Sequence, residues 1–362
     1  MNRSDSIWTK IAELIQNIQV TIQHSTEAIL SVDTDLNVLA INARIQAARI
    51  GTAGAGIKVV ADRMEAMIEQ TKSITDDLNL RIGKTMKDLT QLRIHMESRT
   101  RGLRLSQIAA SCTDLIDRSL YERSCDVRFW ATDDAIIKAL EAPNEEKLVT
   151  NASQRLGMIL QSYTVYFDIV LCGLDGTVLC NGRSNSYHSR GANVSRSEWY
   201  TQAYRTSNGT EFGFEGPLHS ALVNDQSVLV YSCGVRKGGN LNGKIVGVLA
   251  VLFNWKNLGT AVLHQAEETL SVETDNPVKA FLCRNDGKIV ATETEGGSTP
   301  HKEEVYDSIV PVNLQTLRAS PEGFHFYNEN GHDPMLIGFG VSRGYETYSS
   351  NWITVITEII RR

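Results

Sequence analysis

The 362-residue chain contains no unbroken apolar run of the roughly 18 to 20 residues that a membrane-spanning helix requires. Its most apolar stretch, KIVGVLAVLFNW at 244–255, is too short for that and predicts a buried strand. The N-terminus lacks an apolar signal segment and carries Ser4, Asp5 and Lys10 instead, so secretion is not expected and a cytoplasmic location is. Basic charge is not in excess. With 36 Lys and Arg against 42 Asp and Glu the net charge is -6, which argues against a nucleic-acid footprint or a basic membrane patch. The six cysteines show no CxxC or other metal-ligand spacing, and without an export signal they read as buried structural thiols rather than disulfides, ligands or redox groups.

Catalytic signatures are equally scarce. The chain has no GxSxG elbow, HExxH motif or EF-hand loop. GTAGAGIK at 51–58 has the wrong glycine spacing for a dinucleotide fingerprint, and Ile57 interrupts the Gly-Lys of a P-loop. Helical patterns flank it on both sides, whereas both phosphate motifs need a preceding strand. His301, Glu303 and Glu304 could touch a metal, but beside Pro300 they read as a solvated loop. Three Asn-X-Ser/Thr sequons, at Asn151, Asn193 and Asn208, carry no meaning without export. No nucleophile, base and oxyanion donor assemble, so the expectation is a protein that is not an enzyme and holds no cofactor or metal. A hydrolase or transferase with a constellation hidden between modules is the remotest alternative.

Helical periodicity dominates the first third. Ile11, Ile15, Ile18, Ile22, Ser25, Ile29, Val32, Leu36, Leu39 and Ala43 step by fours and threes, the 3.5-residue period of a coiled-coil seam. Gly51, Gly54 and Gly56 break the pattern, and each glycine lowers helical stability by about 1 kcal/mol. Val60, Met64, Met67, Thr71, Ile74 and Leu78 then resume it, more raggedly through Ile82, Leu89, Leu92 and Met96. The pattern predicts an antiparallel helical hairpin over 1–103 with its tip near 50–57 and legs of about 68 Å. Two legs alone bury an Ile-rich seam poorly, so homodimerisation into a four-helix coiled coil is expected.

Helical character continues over 104–141 and ends at Ala142-Pro143, because the residue before proline disfavours the α region. A further helix is predicted at 144–163. At Val165 the period drops from 3.6 to 2. YFDIVLCGLDGTVLCNG predicts two strands around an Asp175-Gly176 turn, followed by strands near 210–215, at QSVLVYSCGVRK and at GKIVGVLAVLFNW. VKAFLCRNDGKIVATET starts the same arrangement again near 277, with GFHFYN, PMLIGFGVSR and WITVITEII to follow. The expected class is α+β: a long hairpin, then a long helix with a first antiparallel-sheet module over 104–256, then a second module over 257–362. Tyr187, Trp199, Tyr200, Tyr204, Phe212 and Phe214 crowd the first module near Arg196 and Glu198. Such a group either lines a small-ligand pocket or forms module core.

Leu39-Ala40-Ile41-Asn42-Ala43, Ile45-Gln46-Ala47-Ala48-Arg49, Gly51, Ala53-Gly54, Gly56 and Val59-Val60-Ala61-Asp62 together resemble the signalling tip of methyl-accepting chemotaxis receptors. The resemblance implies that Asn42, Ile45, Gln46, Arg49, Ile57 and Val60 face a partner, the chemotaxis coupling adaptor and histidine kinase. Gln46 stands where the family carries an acid, Ile57 where it carries the tip Phe, and Arg63-Met64-Glu65 where it has Glu-Val-Arg. The legs are short and lack Glu/Gln pairs of the methylation type.

LIDRSLYERSCDVRFWATD, the hairpin ending LDGTV, Val194-Ser195 with Trp199-Tyr200, GVLAVLFNW and GYETYSSNWITVITE resemble a double Cache sensor, two PAS-like modules on a long helix. The resemblance implies a small molecule in the first module, contacted by Tyr187, Arg196, Trp199, Tyr200, Tyr204, Phe212 and Phe214. Ser197 and Leu252 occupy the positions that hold an Arg and an Asp in amino-acid-sensing members. The implied ligand is therefore not a simple α-amino acid, unless Arg196 supplies the carboxylate contact. The order is unusual, with the tip before the sensor and no span between them. The expectation is a cytoplasmic, dimeric chemoreceptor-like sensor; the alternative is a dimeric scaffold with a degenerate pocket.

Overall fold

The computed structural model describes residues 7–292, 310, 312–328 and 333–360; the His301, Glu303 and Glu304 group lies outside the described residues. The chain divides into two compact units, Met1–Arg101 and Gly102–Arg362.

In the first unit, α1 (Ile7–Ile50) reverses through a tight 3₁₀ turn, Gly51–Gly54, into α2 (Ala55–Trp130). Gly51 sits at φ +68°, a left-handed conformation that costs a side-chain-bearing residue but not glycine. Gly54 lies so close to the turn above it that a Cβ would collide with the Ala47 carbonyl. Arg44 pairs with Glu65 at 2.6 Å and with Asp62 at 3.6 Å, and Thr26 Oγ1 donates to Asn79 Oδ1 at 3.1 Å, so the legs run antiparallel.

The seam between the legs differs from the expected one. Asp33, Ala40, Ala47, Gly54, Ala61 and Thr75 are buried. Ile18, Ile29, Val32 and Leu39 of the expected α1 seam are exposed, as are Val60, Met67, Ile74 and Leu78 of α2. Ile11, Ile15, Ile22, Leu36 and Ala43 of the expected seam, with Met64, Thr71 and Ile82 of α2, are half-buried, while the small buried residues permit close approach of the two helix backbones and leave the other bulky side chains outside.

In the second unit α2 continues without a break through Arg101-Gly102 as far as Trp130. The helix expected to run to 141 is instead interrupted at Ala131–Asp133, and α3 (Asp134–Glu141) starts anew. Asp133 causes the restart: its carboxylate accepts a hydrogen bond from the Ala135 N–H at 3.0 Å, an N-cap that favours a helix start over helix continuation. Helix α4 (Glu146–Ser162) follows.

The first sheet comprises β1 (Tyr166–Cys172), β2 (Val178–Asn181), β3 (Gly213–Ser220), β4 (Gln226–Arg236) and β5 (Ile245–Phe253), in the order β2-β1-β5-β4-β3. Short helix α5 (Glu198–Tyr204) lies between β2 and β3, and α6 (Trp255–Ser271) leads onward. The second sheet holds β6 (Val278–Cys283), β7 (Ile289–Thr292), β8 (Glu322–Tyr327), β9 (Met335–Val341) and β10 (Ile353–Ile359), with α7 (Leu314–Arg318) before β8. Its order, β7-β6-β10-β9-β8, repeats the first, and every pairing in both is antiparallel. The α+β class with two five-stranded modules is the observed architecture.

Strand alternation separates two faces of each sheet. Ile169, Leu171, Leu229, Tyr231, Cys233, Leu249, Val251 and Phe253 pack with Leu105, Ile116, Leu120 and Val127 of α2. Ala280, Leu282, Leu336 and Ile356 of the second sheet join this same core, so α2 and α6 are common to both modules. Contact with the second sheet is very close: a Cβ on Gly340 of β9 would collide with Ala110 of α2. Asp117 of α2, fully buried, accepts hydrogen bonds from Ser342 Oγ (2.6 Å), Gly344 N (3.1 Å), Ser350 N (3.2 Å) and Ser350 Oγ (2.5 Å). A carboxylate removed from solvent by burial needs such a set of donors, and here it fastens the β9–β10 connection to the helix.

Candidate functional site

The other face of the first sheet carries the candidate ligand site. Val170, Cys172, Val228, Val230, Val248, Ala250 and Leu252 project there, and α5 covers them with Trp199, Tyr200 and Ala203. The cover is held by polar contacts with neighbouring strands and loops. The Trp199 N–H donates to Glu215 Oε2 at 2.9 Å, Ser232 Oγ donates to the Trp199 carbonyl at 2.6 Å, and Tyr200 OH donates to the Gly173 carbonyl at 2.9 Å. Gly176 of the Asp175-Gly176 turn lies against Ser195, and its carbonyl accepts from the Val194 N–H at 2.8 Å. The LDGTV turn, Val194-Ser195 and Trp199-Tyr200 therefore meet in space, although they are separate in sequence.

The seven expected ligand residues do not share one surface. Trp199 and Tyr200 are buried beneath α5, with Tyr187 half-buried beside them and Tyr204 exposed but stacked on Tyr200 at 6.1 Å. Phe212 and Phe214 belong to the opposite face, in the α2-side core, within 6.1 and 5.0 Å of the Tyr231 ring. Arg196 is exposed and has no partner among the described residues. Ser197 precedes α5, and Leu252 is buried in the α5-side core.

One polar residue on this face escaped the sequence reading. Asp168 of β1 is fully buried directly across the sheet from Leu252. Asn181 Nδ2 donates to it at 2.6 Å, the Ile169 N–H at 2.8 Å and the Arg183 N–H at 2.9 Å. Burial raises its carboxyl above the usual carboxylate range, while the hydrogen bonds from Asn181, Arg183 and Ile169 oppose the rise. A single acid inside the apolar strand YFDIVLC was the available signal, since such a group must find donors. The Arg183 guanidinium turns to the carbonyls of Tyr166, Phe167 and Leu160 and so leaves Asp168 without a cationic side-chain contact.

On the hairpin, Asn42, Ile45, Gln46, Arg49, Ile57 and Val60 are all exposed around the Gly51–Gly54 turn. They therefore form an accessible surface over a tip whose interior is filled by Ala47, Gly54 and Ala61. Further from the tip, a cleft of about 560 Å³ opens between the legs around Ile22, Thr26, Asn79, Ile82, Gly83 and Met86. No candidate metal cluster occurs among the described residues.

No protein-family model matches the chain. Protein PilJ of Pseudomonas aeruginosa is 32% identical to it over 124 residues, covering 32% of this chain and 18% of that protein. Methyl-accepting chemotaxis protein McpG of Pseudomonas putida is 34% identical over 107 residues, covering 27% and 17%. Biofilm dispersion protein BdlA of Pseudomonas aeruginosa is 32% identical over 114 residues, covering 30% and 27%. The chain thus spans well under a third of the length of these relatives. Among solved structures, the ligand-binding domain of Pseudomonas fluorescens chemoreceptor CtaA, bound to L-alanine, is 17% identical with a TM-score of 0.45, over 70% of this chain and 94% of that one. The sensor domain of V. cholerae histidine kinase DctB is 11% identical with a TM-score of 0.46, over 75% and 98%. The chain joins a helical hairpin to two five-stranded antiparallel modules, and about a third of its length is similar in sequence to methyl-accepting chemotaxis proteins and related receptors.

Proposed function

We propose that this protein is a non-enzymatic, cytoplasmic chemoreceptor-like sensor. A small molecule other than a simple α-amino acid binds the α5 side of the first module, and the response passes to a partner through the hairpin tip. The observation that carries this reading is the sharing of α2: residues 55–101 form one leg of the hairpin, and residues 102–130 pack beneath both sheets. A ligand that alters how the first sheet seats on Leu120 and Val127 acts on the same helix that reaches the tip. Moving such a two-state equilibrium from 1:99 to 99:1 takes about 5.5 kcal/mol of differential affinity.

The exposed apolar stripe of Ile29, Val32, Leu39, Val60, Met67 and Ile74 supports homodimerisation into a four-helix coiled coil. The partner at Asn42, Ile45, Gln46, Arg49, Ile57 and Val60 is the chemotaxis coupling adaptor with its histidine kinase. A thermal-shift screen of metabolites tests the sensor reading, because a ligand at 100 times its Kd stabilises the folded state by about 2.7 kcal/mol. Pull-down of the adaptor and kinase assays in each ligand state test the partner.

A second reading is a dimeric scaffold with a degenerate pocket, favoured by the tight burial of Trp199 and Tyr200 at 3% and 4% exposure. Partner capture without any stabilising metabolite would select it.

A further inference from the structure

The connection between β9 and β10, residues 342–352, touches more of the molecule than its own module. Gly344 has φ +79°, Glu346 φ +52° and Asn351 φ +57°, all in the left-handed region. The two that bear side chains hold that conformation only where surrounding contacts fix it.

Those contacts come from the shared helix and from the first module. The Tyr345 N–H donates to the Tyr348 carbonyl at 2.7 Å, and the Tyr348 N–H to the Tyr345 carbonyl at 3.0 Å. The two tyrosines thus close a tight turn over Glu346-Thr347 and do not shift independently. Tyr345 faces α2: its ring meets Tyr121 edge-on at 5.4 Å, with the Arg118 guanidinium 5.0 Å from its centre. Tyr348 faces the first module: its hydroxyl lies 2.9 Å from that of Tyr231 in β4, and its ring stacks on Phe212 at 6.3 Å. Asp117 of α2 holds the same connection at Ser342, Gly344 and Ser350.

Tyr231 and the next residue, Ser232, project to opposite faces of the sheet. On the α2 side Tyr231 is fully buried, and its hydroxyl bonds to Tyr348 alone among the described residues. On the α5 side Ser232 Oγ donates to the Trp199 carbonyl. Phe214, opposite Tyr231 in β3, repeats this arrangement. Its ring is 5.0 Å from Tyr231, while its N–H donates to Gln202 Oε1 of α5 at 2.8 Å. One strand pair therefore carries the seat of α5 on one face and the contact with the second module on the other. A movement of α5 that pulls on Ser232 moves the backbone that fixes Tyr231. Tyr348 must then follow, because a buried hydroxyl left without its partner is costly.

We propose that the β9–β10 connection is a latch between the α5 cover and α2. Through Tyr348 it follows the position of β3 and β4, and through Tyr345 and the Asp117 clamp it passes that position to the shared helix. The second module serves the response by carrying this latch. Its signalling meaning rests on the reading of the α5 side as the ligand site; the coupling itself does not.

The test is hydrogen exchange of the full chain without added ligand, read by mass spectrometry over 198–204 and 342–351. Ser232→Ala loosens the α5 cover, and Ser350→Ala loosens the clamp. Each is expected to speed exchange at its own end about fivefold, the change in local opening for one lost neutral hydrogen bond. At the other end each is expected to give about twofold, because linkage between two sites is reciprocal. In a Tyr348→Phe background the near-end effects persist and the far-end effects vanish. Far-end exchange that stays unchanged in both single variants overturns the latch. So does a far-end effect undiminished by Tyr348→Phe, which assigns the coupling to the shared core instead. Tyr348→Phe strands the Tyr231 hydroxyl, so the double variant Tyr231→Phe, Tyr348→Phe, which strands none, carries the same expectation and decides where the single one does not fold. A metabolite that stabilises the chain while the two ends exchange independently refutes the latch and leaves the ligand reading intact. Reciprocal exchange without any stabilising metabolite supports the latch and refutes the ligand reading.

Discussion

Replacing Asp117 with alanine removes the acceptor for four donors at once: Ser342 Oγ, Gly344 N, Ser350 N and Ser350 Oγ. The hydroxyls have alternatives, since Ser342 and Ser349 already lie 2.9 Å apart and both side chains reach the surface. The two backbone N–H groups do not, and each such donor left unsatisfied costs about 1 to 3 kcal/mol. Relief of the buried carboxylate's desolvation offsets part of this, so the net loss is about 3 kcal/mol. That corresponds to about 6 to 12 °C in Tm for a unit of this size.

Urea denaturation followed by tryptophan fluorescence reads the change, because Trp352 directly adjoins the loop and its N–H donates to Ser350 Oγ at 3.2 Å. Ser350→Ala alone removes one hydroxyl and is expected to cost about 1 kcal/mol. In the Asp117→Ala background the same change should cost less, because the shared acceptor is already gone and only the Trp352 N–H contact to Ser350 Oγ is left to lose. A loss below about 1 kcal/mol for Asp117→Ala, or strictly additive effects of the two substitutions, would refute the clamp.

Three further outcomes follow from the packing. Gly340→Ala places a methyl group against Ala110 in α2, so the helix and β9 must separate; circular dichroism melting should show a loss of about 2 kcal/mol or more, and an unchanged melt would disprove the close approach. Met67→Lys with Ile74→Lys puts charge into the exposed stripe of the hairpin, and light scattering should report a shift from dimer to monomer with helicity retained; a dimer that survives both changes rules out that stripe as the interface. Asp168 binds its proton more tightly in the folded state than in the unfolded chain, so its contribution to stability is complete below the unfolded value of about 3.9 and is lost as pH rises through the raised folded value. Carboxyl NMR titration checks the direction, and a midpoint at or below the ordinary carboxylate value would contradict it.

Several features were legible because they are written in local periodicity. Steps of three and four residues marked the legs, the glycines at 51 and 54 marked the reversal, and the change to period two at Val165 marked the first sheet. Asp175-Gly176 and Asp286-Gly287 announced two matching turns, and the second sheet repeats the strand order of the first. The break at Ala131–Asp133 was missed in favour of a helix running to 141, although Thr132-Asp133-Asp134 is a helix-start signature inside an otherwise helical run.

Other features depend on approach rather than on order along the chain. The legs present both a small-residue seam and a bulky one at the same 3.5-residue period, and only packing decides which turns inward. Ala40, Ala47 and Ala61 won because they let the backbones close together. The aromatics near Trp199 looked like one cluster, yet α5 carries Trp199 and Tyr200 to one face of the sheet while Phe212 and Phe214 pack on the other.

The amino-acid sequence by itself determined the long helices, the reversal, the two five-stranded modules and the chemoreceptor-like tip, because propensity and hydrophobic period act over a few residues. Only the tertiary structure decided that Asp117 meets Ser342 across 225 positions, that Asp168 lies beside Leu252 on the covered face, and that Tyr231 meets Tyr348. Buried polar groups select their partners by distance in space after the apolar core has closed, and that distance has no counterpart in spacing along the chain.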